Sequence, residues 1–358
     1  MKKKSGLHTI GLTRPKQKYN VLQSIIDSVY REGCEVEHKT DKYNLDHTYK
    51  LNQYSDQGIR LEIRQFCDHA GFVKLILTPG SMLSGKYDPT RLYRGKEKEW
   101  ENICAVYRDT ISFDGLPKSL EKYTLSRVDQ TLDFYMDSEE EVIEWVRVFQ
   151  KSMCSPRYQR IKFSGKDAAE ANRRSVEYCT ATKRRGKNGK NHGKQPETAF
   201  KAYDKTYECR GRKDLEENIL RFELSSTKQA LMKKRKLDKQ VSLKDFLHAA
   251  AKSSSDTIYK FIESAMFIDG EILRYKDAMK RVSKAPKITE KHKVQMRELI
   301  QKCSDCENLY YALQKIKLSN KQRDRLLRQF RELGISPVTL RNDSPLENLP
   351  SIKEFLSD

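Results

Sequence analysis

No stretch of the sequence approaches the roughly 18 uncharged apolar residues that a membrane-spanning helix requires, so a membrane protein built on such helices is not expected. The eight cysteines are scattered without the even spacing of a disulfide framework, and no basic-then-apolar leader opens the chain, so a reducing cytoplasm is the expected setting. No internal repeat is evident, which sets solenoid folds aside. The pair Cys303 and Cys306 has no second pair at zinc-finger spacing and reads as core or surface cysteines rather than a metal centre.

What is abundant is positive charge. The 358 residues carry 70 Lys and Arg against 50 Asp and Glu, a formal net charge of +20. Such an excess favours a polyanionic partner, because neutralising phosphates releases condensed counterions. The densest part is the glycine loop "KRRGKNGKNHGK" (183–194), which offers Lys183, Arg184, Arg185, Lys187 and Lys190 with no acidic residue among them. Directly before it stands Tyr178, within the strand-like run "SVEYCTAT" (175–182).

The first two thirds read as mixed strand and helix. Strands are expected at 59–66, 71–78, 125–136, 175–182, 199–208 and 219–226. In the third of these, Val128, Leu132 and Phe134 fall on one face, with Arg127, Asp129, Thr131 and Asp133 on the other. In the last, Leu220, Phe222 and Leu224 make a buried face that turns Arg221 and Glu223 the opposite way. A helix follows residue 138, started by a Ser138/Glu141 capping box and by Glu139 to Glu141 in its first turn; Trp145 belongs to its core face. Beyond residue 235 the pattern turns all helical, ending in a helix opened by Ser319 and Gln322 and stopped at Gly334. The expected fold class is α+β: an antiparallel sheet with helices on one face and the other left open, followed by a helical C-terminal domain. The expected domains are 1–235, 236–340 and a loose tail at 341–358.

Three charged strand faces then suggest a site. Asp129 and Asp133, Glu223, and the group Lys201, Tyr203 and Lys205 would share one exposed sheet face, putting carboxylates beside cations and tyrosines. Oxygen ligands of that kind suit Mg²⁺ or Mn²⁺ together with phosphate oxygens.

The order of these segments, R-V-D-x-T-x-D-F, a strand tyrosine, a basic loop, "YDK" and "RFE", resembles the replication initiation factors of rolling-circle plasmids and the filamentous-phage gene II/X-type replication proteins. The resemblance spans roughly residues 60–230 and lies in the order of short motifs. It implies a metal-dependent, site-specific DNA nickase and strand transferase. By position Tyr178 would be the nucleophile, Asp129, Asp133 and Glu223 the metal set, and Lys205 a phosphate contact, with the loop cations, Lys201 and Arg221 as further DNA contacts. Cys179 and Thr180 stand where such families commonly have a Gly-Ser-like turn, which leaves Tyr203 and Tyr207 open as nucleophiles. No His-hydrophobe-His triplet occurs, so a metal set leans on carboxylates, joined at most by one histidine distant in the sequence.

A free tyrosine is only about 0.1% ionised at neutral pH, so it needs neighbouring cations or a polarised phosphate. Its attack would leave a 5′-phosphotyrosine and a free 3′-hydroxyl, and the same site could rejoin the strand. The implied partners are origin DNA, single-stranded or cruciform, with a host helicase, a polymerase and a second copy of the chain as further candidates. Two other functions stay open. One is a relaxase with the same chemistry; the other is a non-enzymatic DNA-binding regulator that reads duplex with its C-terminal helices.

Overall fold

The computed structural model describes residues 2–41, 45–66, 70–180, 197–213, 215–227, 230 and 241–357. Along the chain run β1 (Lys3–Lys18), α1 (Tyr19–Arg31), β2 (Glu37–Thr40), β3 (His47–Leu51), β4 (Ile59–Gln65), β5 (Ala70–Leu77), α2 (Pro79–Ser84), α3 (Glu97–Thr110) and β6 (Thr124–Met136). Then come α4 (Glu139–Ser152), β7 (Tyr158–Ile161), α5 (Ala168–Arg174), β8 (Ser175–Thr180), β9 (Thr198–Asp204), α6 (Lys205–Cys209) and β10 (Asn218–Ser226). The remainder is α7 (Leu243–Lys252), α8 (Ser254–Ala265), β11 (Ile272–Leu273), α9 (Tyr275–Lys284), α10 (Glu290–Asp305), α11 (Leu309–Lys315), α12 (Asn320–Leu333), β12 (Asn348–Leu349) and α13 (Ile352–Ser357). The class is α+β, with extensive antiparallel pairing and a helix-rich C-terminal region.

The chain divides into two compact units, each discontinuous in sequence: unit I comprises 4–132 and 223–255, unit II 1–3, 133–222 and 256–358. This differs from a division at residue 235. The connector "MKKRK" (232–236) lies outside the described residues.

Unit I orders its strands β2, β3, β4, β5, β1, then β6 and β10. β2 to β5 form a meander, and β5 returns along β1 with Ile10 opposite Leu77. Alternation in β4 and β5 buries Leu61, Ile63, Val73 and Leu75. They share one core with Leu22, Ile25 and Ile26 of α1 and with Trp100, Ile103 and Tyr107 of α3. The same core takes Phe246, Leu247, Ala250 and Ala251 from α7, and the Gln130 side chain of β6 donates to the Ala250 carbonyl at 2.8 Å. A helix expected in a separate C-terminal domain is thus part of the sheet's core, because its apolar face finds its partner there.

Unit II carries β10, β9, β8 and β7 in that order beside β6, with Tyr178 opposite Phe200 and Arg160. α4 starts with half of the expected capping box: the Ser138 hydroxyl accepts from the Glu141 N–H at 3.1 Å, while the Glu141 carboxylate accepts from the Asp137 N–H at 3.3 Å. Its Val142, Trp145, Val146 and Phe149 are buried, and Phe149 packs edge-on against Phe222 at 4.7 Å. β9 ends at Asp204 rather than 208, because the Asp204 carboxylate accepts from the Tyr207 N–H at 2.9 Å and starts α6. α9 to α12 enclose a second core around Val282, Leu299, Ile300, Cys303, Leu326 and Phe330. The last helix of that group has the full capping box at Ser319 and Gln322 and ends at Gly334, whose φ of 72° is a left-handed cap. The segment 341–358 is not a loose tail: Asn348–Leu349 pairs with Ile272–Leu273, and Phe355 stacks on Trp145 at 3.9 Å.

Candidate functional site: a buried acidic pair with a histidine

The charged faces of β6 and β10 are buried, not open. Asp129 is 2% exposed, Glu223 7%, and Asp133 and Arg221 0%. Burying charge is costly unless each group is paired, and the pairing decides what each residue can do.

Unit I brings Asp129 and Glu223 together. Arg127, two residues before Asp129 on the same face of β6, grips it with two parallel bonds, Nε–Oδ1 at 2.6 Å and a terminal guanidinium nitrogen to Oδ2 at 2.8 Å. Arg127 also donates to the Ser225 hydroxyl at 3.1 Å, and Ser225 itself hydrogen-bonds Asp129. Burial is the largest influence on Asp129, Arg127 opposes it, and the negative charge of Glu223 adds to it; the balance holds the Asp129 carboxyl above the usual carboxylate range. Glu223 meets a group from β1: its Oε1 lies 3.5 Å from Nδ1 of His8, which is 3.1 Å from the Thr9 hydroxyl. Gly11 makes room for this arrangement, since a β-carbon there would stand 3.0 Å from the Arg127 β-carbon.

Chemically, this is a buried acid held in place by a half-exposed guanidinium, beside a carboxylate–imidazole pair able to hold or pass a proton. His8 is the residue that spacing alone did not single out. The sequence allowed for one distant histidine but gave no means of choosing among seven.

The other expected site residues lie elsewhere. In unit II, Asp133 is locked to Arg221 by two bonds of 2.6 and 2.7 Å, both side chains fully buried. Asp133 is therefore the partner of a guanidinium, and Arg221 is no DNA contact. Lys205 is 2% exposed at its side chain and ion-paired with Glu208, so it does not present its ammonium to a phosphate. Lys201 is part exposed and bridges Glu177 at 3.2 Å. The loop residues Lys183, Arg184, Arg185, Lys187 and Lys190 lie outside the described residues, as does His192.

Tyr178 is corrected most. It is fully buried, and its hydroxyl donates to the Gln150 carbonyl at 2.7 Å. Burial pushes its phenol well above the usual tyrosine range, the opposite of what a nucleophile needs. Tyr203 and Tyr207 are only partly buried. Tyr207 lies between two guanidinium groups, Arg174 at 4.3 Å and Arg210 at 5.1 Å from its ring centre. Arg174 in turn binds Asp204 at 2.7 Å, Glu170 and Glu139, so the network is well compensated.

The three carboxylates do not fit a resident Mg²⁺ or Mn²⁺ as they stand. Asp133 is tied to Arg221, Asp129 to Arg127, and among the described residues no three of His, Cys, Asp and Glu form a group that could hold a metal ion. No helix among the described residues is long and apolar enough to cross a membrane.

No protein-family model matches the chain, and no curated protein sequence matches it. Among solved structures, a rolling circle replication initiator protein from Geobacillus stearothermophilus is similar at 8% identity and a TM-score of 0.34, over 94% of this chain and 100% of that one. The di-domain ARO/CYC BexL from the BE-7585A biosynthetic pathway is similar at 10% identity and a TM-score of 0.23, over 73% and 95%. Both are weak likenesses of fold, so the functional argument rests on the side chains of the site.

Proposed function

We propose that the chain is a DNA-nicking initiator of rolling-circle replication whose reaction centre includes Asp129, Glu223 and His8. The observation that carries the reading is the meeting of the Asp of "RVD" with the Glu of "RFE", far apart in sequence, in one buried cluster that also holds a histidine. A structural role alone gives a buried sheet face no reason to hold two neighbouring carboxylates, which repel each other. In the proposed reaction a tyrosine oxygen attacks the DNA phosphorus and the bond from phosphorus to the 3′ oxygen breaks. The phenolic proton passes to the Glu223–His8 pair, and the departing 3′ oxygen takes a proton. Arg127, half exposed, exchanges part of its hold on Asp129 for the phosphate.

A second reading, a DNA-binding regulator without chemistry, draws on the burial of Tyr178 and on the pairing of Asp129 and Asp133 with guanidinium groups. One experiment separates the two: incubation with single strands from the DNA flanking its own gene, with and without Mg²⁺ or Mn²⁺, followed by denaturing electrophoresis. The nickase reading expects a covalent adduct in wild type and Tyr178→Phe, and none in Glu223→Gln. Tight, salt-sensitive binding with no adduct on any strand supports the regulator.

A further inference from the structure

Alternation in β4 and β5 turns Leu61, Ile63, Val73 and Leu75 toward the helices of unit I, and leaves Arg60, Glu62, Arg64 and Lys74 on the opposite face of the sheet. Two large apolar rings interrupt that charged face. Phe72 lies on it by parity, directly across from Arg64, and Phe66 follows two residues after Arg64. Their ring centres are 5.9 Å apart, both side chains are half-buried, and with Thr13, Pro15 and Lys16 they line a pocket of about 400 Å³. An aromatic pocket on a face that no core helix covers marks a contact surface.

The cations around it point to the occupant. The Arg64 guanidinium stands 5.4 Å from the centre of the Phe66 ring while one of its nitrogens holds Asp46 at 3.2 Å. Lys74 lies opposite Thr13, with Glu62 3.9 Å away. The pairing of β1 with β5 is irregular between Arg14 and Gln17, and there Lys16 adopts a φ of 55°, uncommon for a lysine, which brings an exposed side chain to the pocket. The pocket also shares its sheet face with the acidic pair and histidine. Thr13 has the parity of Gly11, where a β-carbon would stand 3.0 Å from that of Arg127, and Pro15 lies about 13 Å further along β1 at about 3.3 Å per residue.

We propose that Phe66 and Phe72 form a stacking pocket for an unpaired DNA base, with Lys16, Arg64 and Lys74 on the phosphates beside it. This rests on the reading of the chain as a protein that works on unpaired DNA, and adds where the strand crosses unit I. A base answers both features of the surface: its flat ring takes the phenyl groups and the phosphates attached to it take the cations, whereas an apolar protein segment would leave the cations unanswered. Every base has a π-face, so the pocket holds the strand at a set distance from the reaction centre without reading its sequence.

The test uses the full chain and a short oligothymidine with 5-iodouracil in place of one thymine, which ultraviolet light joins to an aromatic side chain stacked on it. After trypsin, the peptide QFCDHAGFVK (65–74) should carry the nucleotide, at Phe66 or Phe72. Phe66→Leu/Phe72→Leu keeps apolar volume but removes the flat faces; it should lose this cross-link and bind oligothymidine at least about fivefold more weakly. A strand of abasic sugars with the same phosphates should bind both proteins equally. Should the double variant not fold, mapping on the unaltered chain still decides. No cross-link at Phe66 or Phe72, unchanged affinity in the variant, or an equal loss for the abasic strand would each overturn the proposal. So would a variant that loses self-association and keeps its DNA affinity, which assigns the pocket to a second copy of the chain. The nicking reading fails separately, by the absence of a covalent tyrosine adduct from protein that still cross-links at the pocket.

Discussion

Replacing Tyr178 by Phe separates a structural from a chemical role more cleanly than any other single change. The hydroxyl is buried and donates at 2.7 Å to the carbonyl of Gln150, in the last turn of α4, where a helix carbonyl has no partner of its own. Removing the donor leaves that acceptor buried and unpaired, a loss of about 1–3 kcal/mol. For a unit of this size about 2–4 °C of melting temperature accompanies each kcal/mol, so a fall of about 2–12 °C is expected. The pH dependence gives a second signature. Burial raises the phenol above its unfolded value of about 10, so the wild-type advantage is complete below that pH. It shrinks as pH rises further, because the unfolded chain then gains by ionising while the folded one does not. Thermal unfolding of both proteins between neutral and strongly alkaline pH, alongside the adduct assay, tests this directly. If Tyr178→Phe melted like wild type yet formed no adduct, the assignment of Tyr178 to the core would be wrong and its role chemical.

Arg221→Met should cost about 3–5 kcal/mol in urea unfolding, since it strands the Asp133 carboxylate, and adding Asp133→Leu should recover most of the loss. Asp129→Asn is expected to raise the melting temperature at pH 7 while abolishing adduct formation. Burial holds this carboxyl above its ordinary value, so the cost of its charge appears as pH rises past about 4 and vanishes in more acid solution, where the variant and wild type should converge. Phe355→Ala should destabilise by about 3–5 kcal/mol and shift Trp145 emission to the red, whereas a loose C-terminal tail would tolerate it.

Local patterns were legible where they stay local. Alternation marked β4, β5, β6, β8 and β10, and charge with capping marked α4 and α12. β1 escaped notice because its short apolar alternation at Ile10 and Leu12 is bracketed by lysines, glycines and Pro15. The helical period of α7 showed that one face is covered but not by which partner, which is why it was expected with the C-terminal helices instead of the core of unit I. The site was half legible for the same reason. Alternation assigned Asp129, Asp133, Arg221 and Glu223 to the charged sides of their strands. Whether those sides meet water, and that Asp133 faces Arg221 while Glu223 faces His8, depends on strand neighbours that no local spacing encodes. Tyr178 illustrates the limit: within β8 its parity with Val176 already placed it on the apolar side, and the motif order drew attention away from that.

The interleaving of the two units has a consequence for synthesis. The core of unit I includes α7, so it cannot close until residue 252 has left the ribosome, and residues 133–222 of unit II wait in turn for 256–358. At about 5–20 residues per second, apolar strands from the first half of the chain remain incomplete for several seconds. Neither unit can be liberated by one cut: ending the chain at 235 removes α7 from one core and all the C-terminal helices from the other. The nascent protein is therefore expected to depend on chaperones, and a premature stop almost anywhere beyond residue 132 should yield insoluble product instead of a working fragment.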